Sequence, residues 1–458
     1  MNQTTPLADG RRAPAPTASR RILSLADLPV LALGALLATA ILGGLTAVTP
    51  AGVALAGLSL LITGVVIGFA RRQLRADPRA AWFGRMAIAL AIATVMMGLA
   101  GNVVLLVAAW IVSGRLMAGM IGHVGEWAEA RAALRRASIA FGIGDLALVG
   151  AALLLSLGTG STQIAAIVAA APGLAPDIVL PAAALLVVAA LARCALPPFF
   201  SWLMRSLAAP TPVSALMHAG FVNAGGFLLI RFVPALEAAP AARFVLFATG
   251  ILAALAGSAI MLVRSDVKGG LAASTVAQMG FMLLTIALGG YAAALWHMVA
   301  HGVFKAWLFL GSAGTVSRAP ATKALPRAWP AGIALAALAG GLALLHWGPA
   351  TALLPLGLAA TALLCALAVG LRAASRSPVG MIVIAIPILL IAINAAALAF
   401  VAHVQPDAAM PLLSGPAQWV LLLVFLSVWV LQQRVARGEQ SLPPALYARL
   451  IHAGNPTA

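Results

Sequence analysis

Apolar residues follow one another in runs of about twenty along this chain, and few runs keep the one polar face of a soluble helix. Each run is long enough for a helix to cross a hydrocarbon core of about 30 Å. The pattern predicts an all-α polytopic membrane protein with about 14 transmembrane helices. The predicted spans are residues 29–48, 51–70, 83–100, 102–122, 137–157, 178–198, 211–230, 243–263, 271–289, 291–312, 330–347, 350–371, 380–402 and 416–433.

Arginine residues cluster in alternate connections between these spans. They precede the first span and follow the even-numbered ones, whereas the opposite connections hold little more than Arg231 and Arg243. Because cytoplasmic loops are enriched in Lys and Arg, this pattern predicts that both termini are cytoplasmic. Three parts follow: a disordered basic tail over residues 1–28, a transmembrane domain over 29–433 and a cytoplasmic tail over 434–458.

Composition supports transport rather than catalysis. The chain is 63% hydrophobic and only 9% charged, and its net charge of +17 falls mainly in the connections, which predicts contact with the lipid bilayer and no nucleic-acid partner. Cys194 and Cys365 have neither metal-binding nor disulfide spacing. The sequence shows no phosphate loop and no nucleophile–base pair, so no cofactor is expected in this chain.

Three ionisable residues lie four apart in the segment "AALWHMVAHGVFKAWLFLGS": His297, His301 and Lys305. In a helix this spacing places them on one face, about one turn apart. An ionisable group at membrane depth is costly, and a buried lysine, unlike arginine, can lose its proton near neutral pH. The stripe predicts a proton relay. The alternative is that Lys305 extends to the membrane surface.

A fourth candidate is His218, in "PTPVSALMHAGFVNAGGFLLIR". Pro210 and Pro212 open this helix, where a missing N–H costs least. His218 follows two turns later and is interpreted as a second proton-transfer group. The alternative is a histidine that only fills the core.

The segment "LARCALPPFFSWL" precedes that helix and predicts a break in the backbone. Pro197 and Pro198 remove helical hydrogen bonds, and irregular backbone at membrane depth is tolerated where it is buried or lines a wet cavity. Transporters place ion sites at such discontinuous helices. Arg193 beside the break is therefore a candidate switchable charge. The alternative is an anchor at the cytoplasmic surface.

Asp145, in "FGIGDLALVG", is the only acid well within a predicted span. It is expected to be protonated, or paired with Arg115, Arg193 or the backbone. A polar face of the segment that follows Lys268 is interpreted as packing contact between helices; it consists of Ser274, Thr275 and Gln278.

Taken together, "PTPVSALMHAG", "SDVKGGLAASTVAQMGFM" and "HMVAHGVFKAWLFLGS" resemble the proton-translocating, antiporter-like membrane subunits. This superfamily includes subunit L of respiratory complex I and the large Mrp-type cation/proton antiporter subunits. The resemblance runs from about Trp110 to Thr315. It implies two inverted five-helix repeats with two broken helices, a polar axis across the membrane and a bacterial inner-membrane location.

The resemblance also assigns roles to individual positions. It implies proton conduction at four residues, matches Asp145 to a family aspartate and puts Arg193 where the family has a lysine; the four are His218, His297, His301 and Lys305. The chain departs from the family after Trp110, where Ile111 replaces a glutamate, and it has no lysine after Lys323 to serve the second broken helix.

One branch fits these departures better. "MHAGFVNAGGFLLIR", "AALWHMVAHGVFKAWLFL" and "EARAALRRASIAFGIGDLAL" resemble the DabB-type membrane component of the two-component Dab inorganic-carbon transporters. That resemblance implies a large partner of the DabA type, similar to a zinc β-carbonic anhydrase, with the zinc in the partner. It implies that protons or cations flowing through this chain make CO2 hydration run one way, so that bicarbonate accumulates.

Two other functions stay open. A cation/proton antiporter or a complex I-like subunit L would have several small membrane partners, and Ile111 counts against it. A non-conducting anchor would only recruit a partner. It would gain nothing from three ionisable residues on one helix face.

Overall fold

The computed structural model describes residues 28–313, 396–406 and 412–454, with Leu354, Gly357, Leu358, Thr361, Ile393 and Ala408. The long elements of this part are helices, with short 3₁₀ turns between some of them. In chain order they are α1 Leu28–Leu42, α2 Pro50–Gln73, α3 Ala80–Gly98, α4 Val103–Ile121, α5 Ala128–Thr159, α6 Ile164–Ala170, α7 Pro176–Arg193, α8 Ser201–Met204, α9 Thr211–Ala219, α10 Ala224–Arg231, α11 Val233–Glu237, α12 Pro240–Val263, α13 Val267–Leu288, α14 Tyr291–Gly311, α15 Gly415–Ala436 and α16 Pro444–Gly454.

Ten segments of the described residues are long and apolar enough to cross a membrane, which agrees with the predicted all-helical membrane fold. They correspond to the second to tenth predicted spans and to the last one; α1 is shorter and covers part of the first. Predicted spans 330–347 and 350–371, and most of 380–402, lie outside the described residues. The total of fourteen and the location of the termini therefore stay predictions.

Some helix ends differ from the prediction for physical reasons. Helix α5 begins at Ala128, nine residues before the predicted start at 137, because an alanine-rich stretch with Arg131 and Arg135 favours continued helix beyond the apolar run. Helix α7 ends at Arg193 rather than at 198, because Pro197 and Pro198 cannot continue it.

The C-terminal end of the chain is helical beyond the last predicted span. Helix α15 extends to Ala436, and α16 follows it within the region predicted as a cytoplasmic tail. Arg264, at the end of α12, donates to the Gly454 carbonyl at 3.2 Å, so α16 packs against the transmembrane bundle.

The connections between helices separate onto two faces, as the alternation of arginines predicted. On one face, Lys268 in the first turn of α13 donates to the Ala209 carbonyl before α9 at 3.1 Å. On the other, the Tyr291 hydroxyl at the start of α14 donates to Glu237 at 2.8 Å. We call the first the arginine-rich face; that it is cytoplasmic stays a prediction.

Close helix contacts at small residues fix the helices that carry the site. A Cβ on Gly257 would lie 2.5 Å from the Ala277 nitrogen, and a Cβ on Gly280 would lie 2.6 Å from the Ala254 nitrogen, so α12 and α13 pack backbone to backbone. A Cβ on Gly144 would lie 3.0 Å from the Ala192 Cβ, which holds α5 against the end of α7. Substitution at these positions would displace the polar residues of α13 or α5.

Asp77 joins two connections on the arginine-rich face. One carboxylate oxygen lies 2.9 Å from His123 Nε2, and the other accepts from the Arg79 backbone N–H at 2.7 Å; the Arg79 guanidinium also donates to the His123 carbonyl. Partial burial raises the pKa of Asp77, but these hydrogen bonds and the charges of His123 and Arg79 outweigh it and leave the pKa below 3.8.

This lowered pKa makes the Asp77 contribution to stability depend on pH. The contribution is complete above the unfolded-state value of about 3.8 and is lost as pH falls through the lower folded-state pKa. We expect Asp77→Asn to lower the melting temperature of the purified chain near neutral pH, with the gap to wild type closing once the pH falls below the lowered folded-state pKa. Thermal unfolding at both pH values measures this. A gap of equal size at both would contradict it.

Candidate functional site

The buried face of α14 carries the predicted stripe. Lys305 and His301 are buried at 2% and 5% exposure, and His297 is partly buried. The two imidazole rings stack with centroids 5.6 Å apart and 19° between their planes. At a rise of 1.5 Å per residue, the stripe from His297 to Lys305 covers about 12 Å of the helix axis. It lies about 9 Å from each end of α14. The residues thus form a line through much of the apolar thickness.

Lys305 turns into the bundle instead of extending to the membrane surface. Its ammonium donates to the Leu271 carbonyl at 3.0 Å and to the Ser274 hydroxyl, both on α13. No carboxylate lies within ion-pair distance of it in the described part of the chain. Among the described residues, the partners of this lysine are neutral oxygens.

His218 contacts the same turn of α13. Its Nδ1 lies 3.0 Å from the Thr275 hydroxyl, which donates its own hydrogen to the Leu271 carbonyl at 2.9 Å. Thr275 must therefore accept, so Nδ1 of His218 carries the hydrogen. The imidazole also stacks on Phe309, with centroids 4.2 Å apart.

The Leu271 carbonyl links these groups, because both Lys305 and Thr275 donate to it. His301 contacts the backbone of His218, and Nε2 of both His297 and His301 has no hydrogen-bond partner in the described residues. We call this set the histidine–lysine cluster; its members are His218, Ser274, Thr275, His297, His301 and Lys305.

Two members of this cluster are not identified as functional from the sequence. The pattern assigns Ser274 and Thr275 to helix packing, yet their hydroxyls contact Lys305 and His218. Their adjacency on one helix, in a motif quoted for the resemblance, is the available signal. Which side chains Ser274 and Thr275 contact depends on how α13 packs against α9 and α14. The spacing of residues along α13 does not determine that packing.

The span that contains His218 is interrupted within the membrane. Helix α9 ends at Ala219, Gly220 has φ −112° and ψ −65°, and the 3₁₀ turn Phe221–Asn223 leads into α10. Almost every residue of this span is buried, which agrees with irregular backbone being tolerated inside protein. This second interruption is not predicted by the hydropathy pattern, although Gly220 marks it.

The predicted break after α7 lies beside Arg193. Backbone after the helix is irregular, with Ala195 at φ 56° and a cis bond between Pro197 and Pro198. Arg193 is 1% exposed, so the structure places it in the interior and not at a surface as an anchor.

Arg193 is enclosed by hydrogen-bond acceptors and aromatic rings. Its guanidinium donates to the Ser113 hydroxyl and to the Trp110 carbonyl, each at 2.9 Å. Cζ lies 3.9 Å from the Trp110 ring centroid and 4.4 Å from that of Phe221. Cation–π contacts of this kind stabilise a buried guanidinium.

Asp145 lies between Arg115 and Arg193. It is therefore paired with both of the arginines that were predicted as alternative partners. Arg115, whose side chain is 45% exposed, donates to Oδ2 at 2.7 Å, and NH2 of Arg193 lies 3.8 Å from Oδ1. Asp145 thus supplies a carboxylate to Arg193. We call this the arginine cluster; its members are Trp110, Ser113, Arg115, Asp145, Arg193 and Phe221. Trp110, Ser113 and Phe221 were not predicted as its members.

Gly302 lets the histidine–lysine cluster assemble. A Cβ there would lie 2.6 Å from the Ala219 carbonyl oxygen and 2.7 Å from Leu58, next to His301. Since a backbone carbonyl within a helix cannot shift far, we expect Gly302→Ala to push α14 away from α9. The expected result is a lower melting temperature and a lower ion flux. Thermal unfolding and flux in proteoliposomes measure this.

The matched control is Gly64→Ala in α2, where nothing lies within 4 Å of the new Cβ. Alanine favours helix over glycine, so the control should be neutral or slightly stabilising. Equal effects of Gly302→Ala and Gly64→Ala would rule out close packing at Gly302 as the cause.

Comparison with known proteins relates this geometry to one family. Residues 100–328, half of the chain, match the family model described as "NADH:quinone oxidoreductase/Mrp antiporter, TM". The matched region includes the six residues predicted from the sequence as ion-translocation residues.

Two curated proteins are similar to this chain in sequence. The chain is 35% identical over 272 residues to "Probable inorganic carbon transporter subunit DabB1" of Halothiobacillus neapolitanus, covering 57% of this chain and 48% of the relative. It is 34% identical over 264 residues to "NADH-quinone oxidoreductase subunit L" of Mycobacterium tuberculosis, covering 56% and 42%. The matches span about half the length of these relatives.

A solved structure shows a similar fold. The Mrp complex from Dietzia sp. DQ12-45-1b contains a chain that superposes with a TM-score of 0.61, covering 94% of this chain and 56% of that one. At 23% identity this similarity concerns the fold alone.

Proposed function

The chain belongs to the family of NADH:quinone oxidoreductase and Mrp antiporter membrane subunits, and from this membership we propose that it conducts protons, or another cation, within an inorganic-carbon uptake complex. Ion flow through it would drive a partner protein that hydrates CO2, so that bicarbonate accumulates. Family membership is shown by the comparison, whereas the conducted ion, the partner and the substrate are the content of the proposal.

One observation carries the proposal: a line of titratable side chains that is buried without a carboxylate partner in the described residues. Lys305, His301 and His297 follow one face of α14, and His218 joins them through Thr275 and the Leu271 carbonyl. Burying ionisable groups at membrane depth is costly, so a chain that only anchors a partner would gain nothing from them.

The histidine–lysine cluster supports proton transfer by its chemistry. Imidazole can donate from one nitrogen and accept at the other, and Nε2 of His297 and His301 is unpartnered in the described part of the chain. Lysine can hold a proton and release it when the site is not compensated by a carboxylate. In this proposal a proton entering near His297 passes along α14 to Lys305, with His301 between them.

The arginine cluster supplies the coupled charge. Arg193 keeps its proton, because a guanidinium is not deprotonated in proteins. Any change in the charge or position of this pair therefore has to occur at Asp145. The carboxylate lies between buried Arg193 and half-exposed Arg115. If Asp145 moves toward either arginine, the field changes near the broken span that carries His218.

The substrate and partner rest on similarity in sequence. The relative from Halothiobacillus neapolitanus is named as a component of a probable inorganic carbon transporter. We propose a large partner of the DabA type that holds zinc and performs the hydration, in the bacterial inner membrane. Zinc is not proposed in this chain.

The test begins with purification of the chain from its native membranes in mild detergent, followed by identification of its partners and a zinc assay. One stoichiometric large partner containing zinc is the expected result. Uptake of labelled bicarbonate should then require both proteins and should collapse with a protonophore. Uptake that survives complete loss of the ion gradient would overturn the coupling.

A cation/proton antiporter or a complex I-like subunit is the second candidate. The relative named subunit L supports it, as does the fold shared with an Mrp complex. Co-purification of several small hydrophobic subunits, or of flavin and iron–sulfur proteins, would favour it. So would Na+ or K+ resistance conferred by the chain and its neighbours.

A further inference from the structure

A small cavity lies beside the interruption at Gly220 and borders the arginine cluster at Phe221. Helices α2 and α3 form one side of it, and the end of α9 with the following turn forms the other. Its lining residues are Ser59, Ile62, Thr63, Leu90, Thr94, Leu216, Gly220 and Phe221. It has room for about one water molecule, and three of its lining side chains bear hydroxyls.

The hydroxyls are arranged to bind a small polar molecule. Thr94 gives its hydrogen to the Leu90 carbonyl at 2.8 Å and is left as an acceptor. Ser59 and Thr63 are buried and line the cavity with Thr94. Together they offer two donors and several acceptors, and a buried water typically makes two to four hydrogen bonds.

The cavity is on the opposite side of α9 from His218. Leu216 lines the cavity and precedes His218 by two residues, which is about 200° around the helix. Phe221 lines the cavity at the interruption, and the centroid of the same ring lies 4.4 Å from Cζ of Arg193. The Phe221 ring therefore lies between the cavity and the Arg193 guanidinium.

We propose that this cavity is a hydration site, in which one internal water molecule is held by the hydroxyls of Ser59, Thr63 and Thr94 beside the interrupted span. The water exchanges hydrogen bonds with the three hydroxyls that line the cavity. It also places a proton carrier next to Phe221, behind which Arg193 lies. The site does not depend on the proposed function, because a bound water can be detected without transport.

Hydroxyl-radical labelling of the full chain in lipid nanodiscs tests the proposal. X-ray radiolysis of a bound water generates radicals that oxidise the side chains touching it, even when bulk solvent does not reach them. We expect Phe221 to be oxidised several-fold faster than Phe227, which is fully buried and does not line the cavity. Equal rates at the two rings would overturn the proposal.

Variants of the hydroxyls identify what holds the water. Ser59→Ala with Thr63→Val leaves an apolar pocket, which stays dry, so Phe221 labelling should fall to the Phe227 level. Thr249→Val is the matched control, because the Thr249 hydroxyl bonds within its own helix, to Val245 and Leu246. Unchanged labelling in the double variant would overturn the assignment of these hydroxyls. Thr63→Val alone, which conserves volume, serves if the double variant does not fold.

Discussion

If the proposed function holds, replacing Lys305 with alanine is expected to abolish ion-driven uptake while the chain still folds and inserts; this is the largest single effect expected in the histidine–lysine cluster. The variant removes the amine that donates to Leu271 and Ser274. Positioned proton-transfer groups contribute about 100-fold or more to rates, so flux should fall on that scale. Proton flux in proteoliposomes, and labelled-bicarbonate uptake with the partner present, measure it.

Lys305→Arg separates charge from proton transfer. Arginine keeps the positive charge and can donate to the same oxygens, but it does not release its proton. If Lys305 relays protons, the arginine variant should be as inactive as the alanine variant. Full activity of Lys305→Arg would show that a fixed charge suffices.

The matched control lies on the same helix, two residues further on. Trp307 is 68% exposed and faces away from the cluster, so Trp307→Ala should retain flux. A Lys305→Ala variant with flux equal to that of Trp307→Ala would remove the basis for proton conduction along α14.

Much of the fold could be predicted because its causes are local. Apolar runs set the ten spans of the described residues to within a few residues at most ends. Arginine placement agrees with the contacts between connections at Lys268 and at Tyr291. The four-residue spacing in α14 is enough to place His297, His301 and Lys305 on one face. The ends that differ, at Ala128 and Arg193, reflect helix propensity and proline, which hydropathy alone does not measure.

The rest could not be predicted because it depends on contacts between distant parts of the chain. Thr275 meets His218 across 57 residues of sequence, and Arg193 bonds Ser113 across 80. Nothing in the spacing of Phe221 indicates that its ring covers a guanidinium on one side and a cavity on the other. The functional roles of all these residues stay predictions.

Replacing Asp145 with asparagine tests the arginine cluster and is expected to cost both stability and flux. Removal of one partner from a buried ion pair typically destabilises a protein by about 3–5 kcal/mol, because the other charge is left uncompensated. Here Arg193 would keep its cation–π contacts and its bonds to Ser113 and Trp110, so the low end of this range is expected. Thermal unfolding in detergent and proton flux in proteoliposomes measure the two losses.

The double variant Asp145→Asn with Arg193→Met distinguishes a structural pair from a functional one. Exchanging a buried pair for neutral groups of similar volume is often neutral or stabilising, so the melting temperature should recover. Flux should not recover, because the movable charge next to the interrupted span is gone. If flux returned with stability, Asp145 and Arg193 would serve only to hold α4, α5 and α7 together. Proton conduction would then rest on the histidine–lysine cluster alone.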